Sequence, residues 1–267
     1  WDSNINNDKE GITDGVCPQE LDFRDAKAVC DELCIPLYRV DFIKEYWDDV
    51  FKYFLSELEK GRTPNPDIMC NKYIKFDLFK KEAKKLGADK IATGHYARRE
   101  GNRLLRGVDN NKDQTYFLSQ VSSEQLKDVL FPVGGLTKPE VRKIAEENNI
   151  PVAKKKDSTG ICFIGERHYQ EFIANYLKGK KGDIIDVETG KKVGTHKGLM
   201  NYTIGQRRNV GLSGDEKRHY VCGKDSKNNI LYIAYGDDSK YLLSNEAIIE
   251  DMNYISDKHP VFATAKF

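Results

Sequence analysis

Apolar positions along this chain recur at two spacings, and the change from one to the other divides it. From residue 22 to residue 87 the spacing is mostly helical. Ala26, Val29 and Leu33 share a stripe behind Asp22, a residue suited to capping a helix. Tyr46, Trp47, Val50, Phe51, Phe54, Leu55 and Leu58 mark a strong amphipathic helix that stops at Gly61. Ile74, Leu78 and Phe79 predict another helix, beginning near Cys70 and ending near Gly87. Residues 35–42 and 90–96 lie between these helices as short apolar runs and read as strands. Helices and strands in this alternation predict an α/β domain with parallel strands and crossover helices. In such a sheet the ligand site lies beyond the carboxyl ends of the strands. Thr93, Gly94 and His95 fall there. Gly94 would let a ligand approach the backbone, and His95 either serves that ligand or is a structural strand-end histidine.

Residues 98–108 read as a hairpin turning at Gly101-Asn102, and Asn110-Asn111-Lys112-Asp113-Gln114 as a polar loop. That loop suits a base or a phosphate, and equally a solvated turn. Thr137 or a neighbour starts a helix with Pro139 in its first turn and Val141, Ile144 and Ala145 as its buried stripe. From about Glu166 the pattern changes. Tyr169, Phe172, Ile173, Tyr176 and Leu177 predict one helix. Short strands then alternate with Gly and Asp turns over residues 183–187, 202–204, 220–235 and 247–267. The expected division is an α/β domain over residues 1–165, a small α+β central domain over 166–218, and the start of a β-barrel over 219–267.

Composition narrows the chemistry. The 267 residues carry 43 Lys and Arg against 42 Asp and Glu, so any attraction to nucleic acid is local rather than global. Six cysteines lack the dense spacing of a secreted disulfide scaffold, and Cys30 and Cys34 have no second close pair to complete a metal site. No apolar run approaches a membrane span and no signal-peptide pattern is present, so a reducing, cytoplasmic setting and no resident metal are expected. Two cysteines stand out. Cys70 follows a loop stiffened by Pro64 and Pro66, which can hold Asn65 and Asp67 outward, and a helix beginning there would favour its thiolate. Cys162 follows the lysine run 154–156 and a Gly-bearing polar loop, and nearby lysines lower a thiol's pKa. Either one read singly is equally a buried core cysteine.

Five ordered runs together resemble the tRNA-specific 2-thiouridylase family. They are Gly61-Arg62-Thr63-Pro64-Asn65-Pro66-Asp67-Ile68-Met69-Cys70-Asn71-Lys72, Ala92-Thr93-Gly94-His95-Tyr96, Lys112-Asp113-Gln114-Thr115-Tyr116-Phe117-Leu118, Asp157-Ser158-Thr159-Gly160-Ile161-Cys162-Phe163-Ile164-Gly165-Glu166-Arg167 and Tyr202-Thr203-Ile204-Gly205-Gln206-Arg207-Arg208. The resemblance implies a nucleotide-hydrolase-like (ATP pyrophosphatase) first domain. It implies that ATP with Mg2+ activates the wobble-uridine C2 oxygen of tRNA, and that a persulfide from a sulfur-donor or relay protein supplies sulfur. Cys162 matches the persulfide carrier and Cys70 its catalytic partner, the two ending as a disulfide. Asp67 matches the acid/base residue, and Asn65-Pro66-Asp67 the segment touching the target base. His95, Lys112, Asp113 and Gln114 match tRNA contacts and Gly94 a nucleotide contact. Arg207 and Arg208 lie in a basic loop of a domain that the family uses on tRNA. The family's phosphate-binding loop, Ser-Gly-Gly-Val-Asp-Ser, and most of its C-terminal barrel are not among these residues. The expectation is that this chain by itself does not adenylate tRNA and binds it weakly. The alternatives are another ATP-dependent thiolase, a thiol–disulfide redox protein working through Cys70 and Cys162, and an inactive tRNA-binding fragment.

Overall fold

The computed structural model describes residues 18–157, 169–212, 218–255 and 262–265. Cys162, the rest of its loop from Ser158 to Arg167, and the opening segment around Trp1-Asp2 lie outside the described residues. The chain divides into two compact units. The first takes Trp1–Val50, Pro66–Glu166 and Asp251–Phe267, the second Phe51–Asn65 and Arg167–Glu250.

In the first unit the opening helix is Pro18–Glu32. It starts four residues before Asp22, which therefore does not cap it. Asp22 and Asp25 instead accept hydrogen bonds from Lys155 Nζ at 2.8 and 2.6 Å. Val29 is half-buried, while Ala26 and Leu33 are exposed. The strand expected over 35–42 is absent. Ile35, Leu37, Tyr38 and Val40 are exposed, and no described strand pairs with them. An apolar run becomes a strand only where a neighbour takes its backbone hydrogen bonds.

Three helical pieces run on without a break: Pro66–Met69, a π-helical segment Cys70–Leu78, and Phe79–Lys85. Pro66 opens the run, where its missing N–H costs nothing. Phe76 points from it into a core of Ile91, Ala97, Leu118, Val121, Leu126 and Val129. Strand β1 (Ile91–Ala92) then leads to the hairpin of β2 (Ala97–Glu100) and β3 (Arg103–Arg106), and on to β4 (Val129–Leu130). β1 and β4 pair in parallel, as the alternation of elements requires, and Gly101 turns the hairpin at φ +56°. Helix Lys138–Glu147 starts directly after Thr137, as expected, and Thr137 and Glu140 form a capping box there. Its apolar stripe is not core, since none of its residues is fully buried and Ile144 is exposed.

In the second unit Phe51 stacks on Phe54 and meets Phe172 and Tyr176 edge-on at 6.1 and 4.9 Å, which fixes helix Lys52–Glu59 on helix Tyr169–Ala174. One four-stranded sheet follows: β5 (Gly182–Asp186), β6 (Lys192–His196), β7 (His219–Asp225) and β8 (Ile230–Tyr235), in spatial order β6-β5-β8-β7. β7 and β8, placed by the sequence pattern in a third segment from residue 219, thus share a sheet with β5, to which β8 runs parallel. Ile184, Val221, Leu231 and Ile233 are its buried face. Residues 202–204 are not a strand. Tyr202 is buried behind the 3-10 turn Leu199–Asn201, and Gly205 N–H closes onto Val221 C=O at 2.7 Å. Residues 247–255 and 262–265 likewise form no strand, with Ile248 fully open to solvent. Among the described residues no helix is long and apolar enough to cross a membrane.

Candidate active site

The proline loop leaves its helix in a fixed direction. Gly61 adopts φ +75°, Arg62 N–H reaches Glu57 C=O at 3.0 Å, and Gly61 N–H reaches Leu58 C=O at 2.9 Å. These are the two backbone bonds of a Schellman stop. The Glu57 side chain locks it: Glu57 is 6% exposed, and its two oxygens accept from Lys60 Nζ at 2.6 Å and Arg62 Nη1 at 2.9 Å. Lys224 Nζ donates to Gly61 C=O at 2.9 Å, and Ser226 Oγ to Lys60 C=O at 3.3 Å. Hydrogen bonds from Lys60 and Arg62 hold the Glu57 carboxyl below its ordinary value. A depressed carboxyl contributes stability above its unfolded pKa and loses it as pH falls through the folded one. Glu57→Gln should therefore cost about 1–3 kcal/mol at pH 7. Urea unfolding should show that gap beginning to close as pH falls below 4.5 and vanishing only below the depressed folded value, where the wild-type carboxyl is neutral in both states.

The helix after this loop begins at Pro66 rather than near Cys70. Cys70 consequently sits past the first turn, where the dipole argument for its thiolate weakens. It is buried at 6% exposure and opens the π-helical segment, a geometry frequent at functional sites. Asn71, also buried, donates Nδ2 to Phe117 C=O at 2.8 Å and ties this turn to the 3-10 turn Thr115–Leu118. Lys72 lies 3.5 Å from Gln120 Oε1, while its carbonyl accepts from Gln125 Nε2. Asp67, one residue into the helix, is half-buried. Burial raises its carboxyl above the usual range, against the pull of the Lys75 charge.

Lys75 also acts on the neighbouring strand end. Its charge and, more strongly, burial push His95 down to about 4, so that the ring is neutral at pH 7. His95 lies 5.6 Å from the Phe76 ring and 6.2 Å from Phe131, with Nδ1 2.9 Å from Thr93 Oγ1. Gly94 between them is exposed, and a side chain there would meet open space, which leaves its backbone accessible to a ligand. Asp67, three residues before Cys70, and His95, next to Gly94, both feel the charge of Lys75.

The polar loop splits into two jobs. Gln114 clamps Tyr96 from both sides, Oε1 accepting its N–H and the Gln114 N–H reaching its carbonyl, each at 3.0 Å. Asp113 accepts from Gly107 N–H and Thr115 Oγ1. Both side chains build the loop, a role that the sequence reading reserved for a solvated turn. Lys112 instead points to Asp157 at 2.8 Å. Lys138 and Arg142 join it there at 2.9 and 3.1 Å, and hydrogen bonds from Lys112 and Lys138 drive the Asp157 carboxyl well below the carboxylate range. In the second unit Arg207 and Arg208 are exposed, on a loop that Gln206 shapes through Thr203 N–H and Arg208 C=O. Asn65, in the loop itself, is half-buried, and Pro66 is buried. Glu57, Lys75 and Asp157 are the site residues that sequence reasoning missed. Asp157 alone carried a signal, as the first residue of the Cys162 motif.

A family model described as the tRNA methyl transferase HUP domain matches residues 1–166, and one described as the tRNA methyl transferase PRC-barrel domain matches residues 170–235. A tRNA-specific 2-thiouridylase of Mycoplasmopsis synoviae is 56% identical over 257 residues, covering 95% of this chain and 69% of the relative. That of Mycoplasma capricolum is 55% identical over 267 residues, covering 96% and 71%. That of Staphylococcus carnosus is 54% identical over 248 residues, covering 91% and 67%. The α/β unit around Cys70 followed by a small β-sheet unit, together with identity of this extent, shows that the chain belongs to the tRNA-specific 2-thiouridylase family.

Proposed function

We propose that the protein replaces the C2 oxygen of the wobble uridine in tRNA by sulfur, using ATP. The observation that carries this reading is the pairing of a buried Cys70 with a half-buried Asp67 whose carboxyl is shifted upward, three residues apart on one helix. A carbonyl oxygen is a poor leaving group, and transfer of AMP from ATP onto it, with loss of pyrophosphate, makes it a good one. Gly94, with nothing over its backbone, is the nucleotide contact of this reading, and Mg2+ accompanies the phosphates. The sulfur comes from a donor protein as a persulfide on Cys162. Cys70 attacks the Cys162 sulfur, a Cys70–Cys162 disulfide forms, and the released sulfide bonds to C2 as AMP departs. An external thiol reductant then restores both cysteines. Asp67 supplies or takes the proton at the base, and its raised carboxyl suits that exchange nearer neutral pH.

Asn65, Asp67 and His95 hold the target base in this reading, and Lys112, Arg207 and Arg208 hold the RNA backbone. A neutral His95 contacts the RNA by a hydrogen bond from Nε2 rather than by charge. A base in a single-stranded loop enters such a pocket at low unstacking cost. The reading is tested by mass spectrometry of wobble uridine after incubation of the full-length protein with ATP, a persulfide donor and unmodified tRNA. Formation of 2-thiouridine with stoichiometric AMP supports it. Methylated uridine, in line with the wording of the family models, would overturn it. Asp67→Asn should lower the rate about 10²–10⁴-fold. It should also remove from the pH–rate profile the limb set by a carboxyl titrating above 3.8.

A further inference from the structure

Three cations converge on a single carboxylate in the first unit. Lys112 Nζ lies 2.8 Å from Asp157 Oδ2, and Lys138 Nζ and Arg142 Nη2 lie 2.9 and 3.1 Å from Asp157 Oδ1. All four side chains are between 29% and 41% exposed, so solvent and ligands reach them. The cations come from two elements fixed to each other. Asp109 accepts Lys138 N–H with Oδ2 and Asn111 N–H with Oδ1, both at 2.9 Å, so the loop carrying Lys112 is fastened to the start of the helix carrying Lys138 and Arg142. Lys138 and Arg142 stand four apart on one helix face. Arg142 is oriented by Ala153 C=O at 3.0 Å and Lys155 C=O at 2.9 Å, and Lys138 lies 5.9 Å from the centre of the Tyr96 ring. Asp109 is the other acid whose charge reaches Lys112, and both of its oxygens are spent on backbone N–H groups.

A preorganised trio of this kind is more than one carboxylate needs. A phosphodiester shares one negative charge between two non-bridging oxygens, which the same forked arrangement accepts in place of a carboxylate. We propose that Lys112, Lys138 and Arg142 form a binding site for a backbone phosphate of tRNA, and that the Asp157 carboxylate occupies this site until the phosphate displaces it. This rests on the tRNA reading above and extends it to Lys138, Arg142 and Asp157, none of which the resemblance assigns. The exchange is of one anion for another among fixed cations, with no covalent step. Its cost is the loss of the Asp157 ion pairs, and a substitution that removes that cost strengthens binding.

The sign of the Asp157 effect makes the test sharp. Filter binding of the full-length protein to an unmodified tRNA transcript is measured over a potassium chloride series, with thermal melts confirming that each variant is folded. Asp157→Asn should bind about two- to five-fold more tightly at low salt, because a competing anion is gone. Lys138→Gln should bind more weakly and reduce the slope of log K against log salt by about one. If Asp157 were only a structural counterion, Asp157→Asn would bind equally or more weakly and Lys138→Gln would keep the wild-type slope. Either result overturns the proposal. Should Asp157→Asn not fold, the Lys138→Gln slope decides alone. A parallel titration with ATP separates the two sources of phosphate. An ATP affinity lowered by Lys138→Gln with tRNA affinity unchanged refutes the proposal in favour of a nucleotide site. Wild-type full-length protein that fails to bind the transcript refutes the tRNA reading itself, whereas wild-type binding that neither variant alters refutes this site alone.

Discussion

Cys70→Ser in the full-length protein should lower wobble 2-thiouridine formation by about 10³-fold or more, as loss of a covalent nucleophile does. Serine nearly preserves volume, so the buried position stays filled, but a hydroxyl neither attacks a persulfide nor forms an S–S bond. Adenylation precedes that step, so release of pyrophosphate and tRNA affinity should persist. Cys162→Ser should produce the same loss, and the double variant no more than either single one, because the two thiols act in one step. The measurement is single-turnover thiolation quantified by mass spectrometry, with thermal melts beside it. Cys70 is 6% exposed, so an unpartnered hydroxyl there costs about 1–3 kcal/mol, and Cys70→Ala serves as the apolar control. Wild-type product from both single variants would remove the two-cysteine chemistry from this protein. Cys222 is half-buried in the sheet unit, where burial raises its thiol away from the thiolate form, which makes it a poor substitute.

What the chain revealed beforehand followed the reach of each interaction. Phe51, Phe54 and Leu58 were legible as core because a 3.6-residue period is local, and all three are buried. The helix start at Thr137 and the turn at Gly101 were legible for the same reason, being set within four residues. Residues 35–42 misled because an apolar run does not specify whether a neighbouring strand is present. Ile144 misled because helix periodicity shows a face and not what covers it. The start at Pro66 was legible in principle, since proline favours the first helical position, but the apolar stripe beginning at Ile74 drew the boundary downstream. Within the site, the motif runs located Asp67, Cys70 and His95. They could not divide Lys112, whose charge faces solvent-accessible partners, from Gln114, which clamps Tyr96. Lys75 and Glu57 act through space and through a helix stop, and neither has a motif to betray it.

Phe76→Ala should cost about 3–5 kcal/mol of stability and alter the site at the same time. Phe76 is 1% exposed, sits in the core with Ile91, Leu118 and Val129, and lies 6.2 Å from the Phe131 ring and 5.6 Å from the His95 ring. Truncation removes its buried area and leaves a cavity beside the imidazole. His95 titrates near 4 in the folded protein, below its ordinary 6.5, chiefly because burial disfavours the imidazolium. The unfolded chain therefore takes up this proton first as pH falls. Stability is lost between about pH 6.5 and pH 4, by an amount on the order of 2–3 kcal/mol from this group. Water admitted by Phe76→Ala should return His95 toward 6.5, so the variant, less stable throughout, should lose less on acidification than the wild type does. Urea unfolding at pH 7 and pH 4.5 measures the first effect, and NMR titration of the His95 ring proton the second. A variant with His95 still titrating near 4 would mean that the Phe76 ring does not keep water from the imidazole, and that Phe131 and the strand end do so without it.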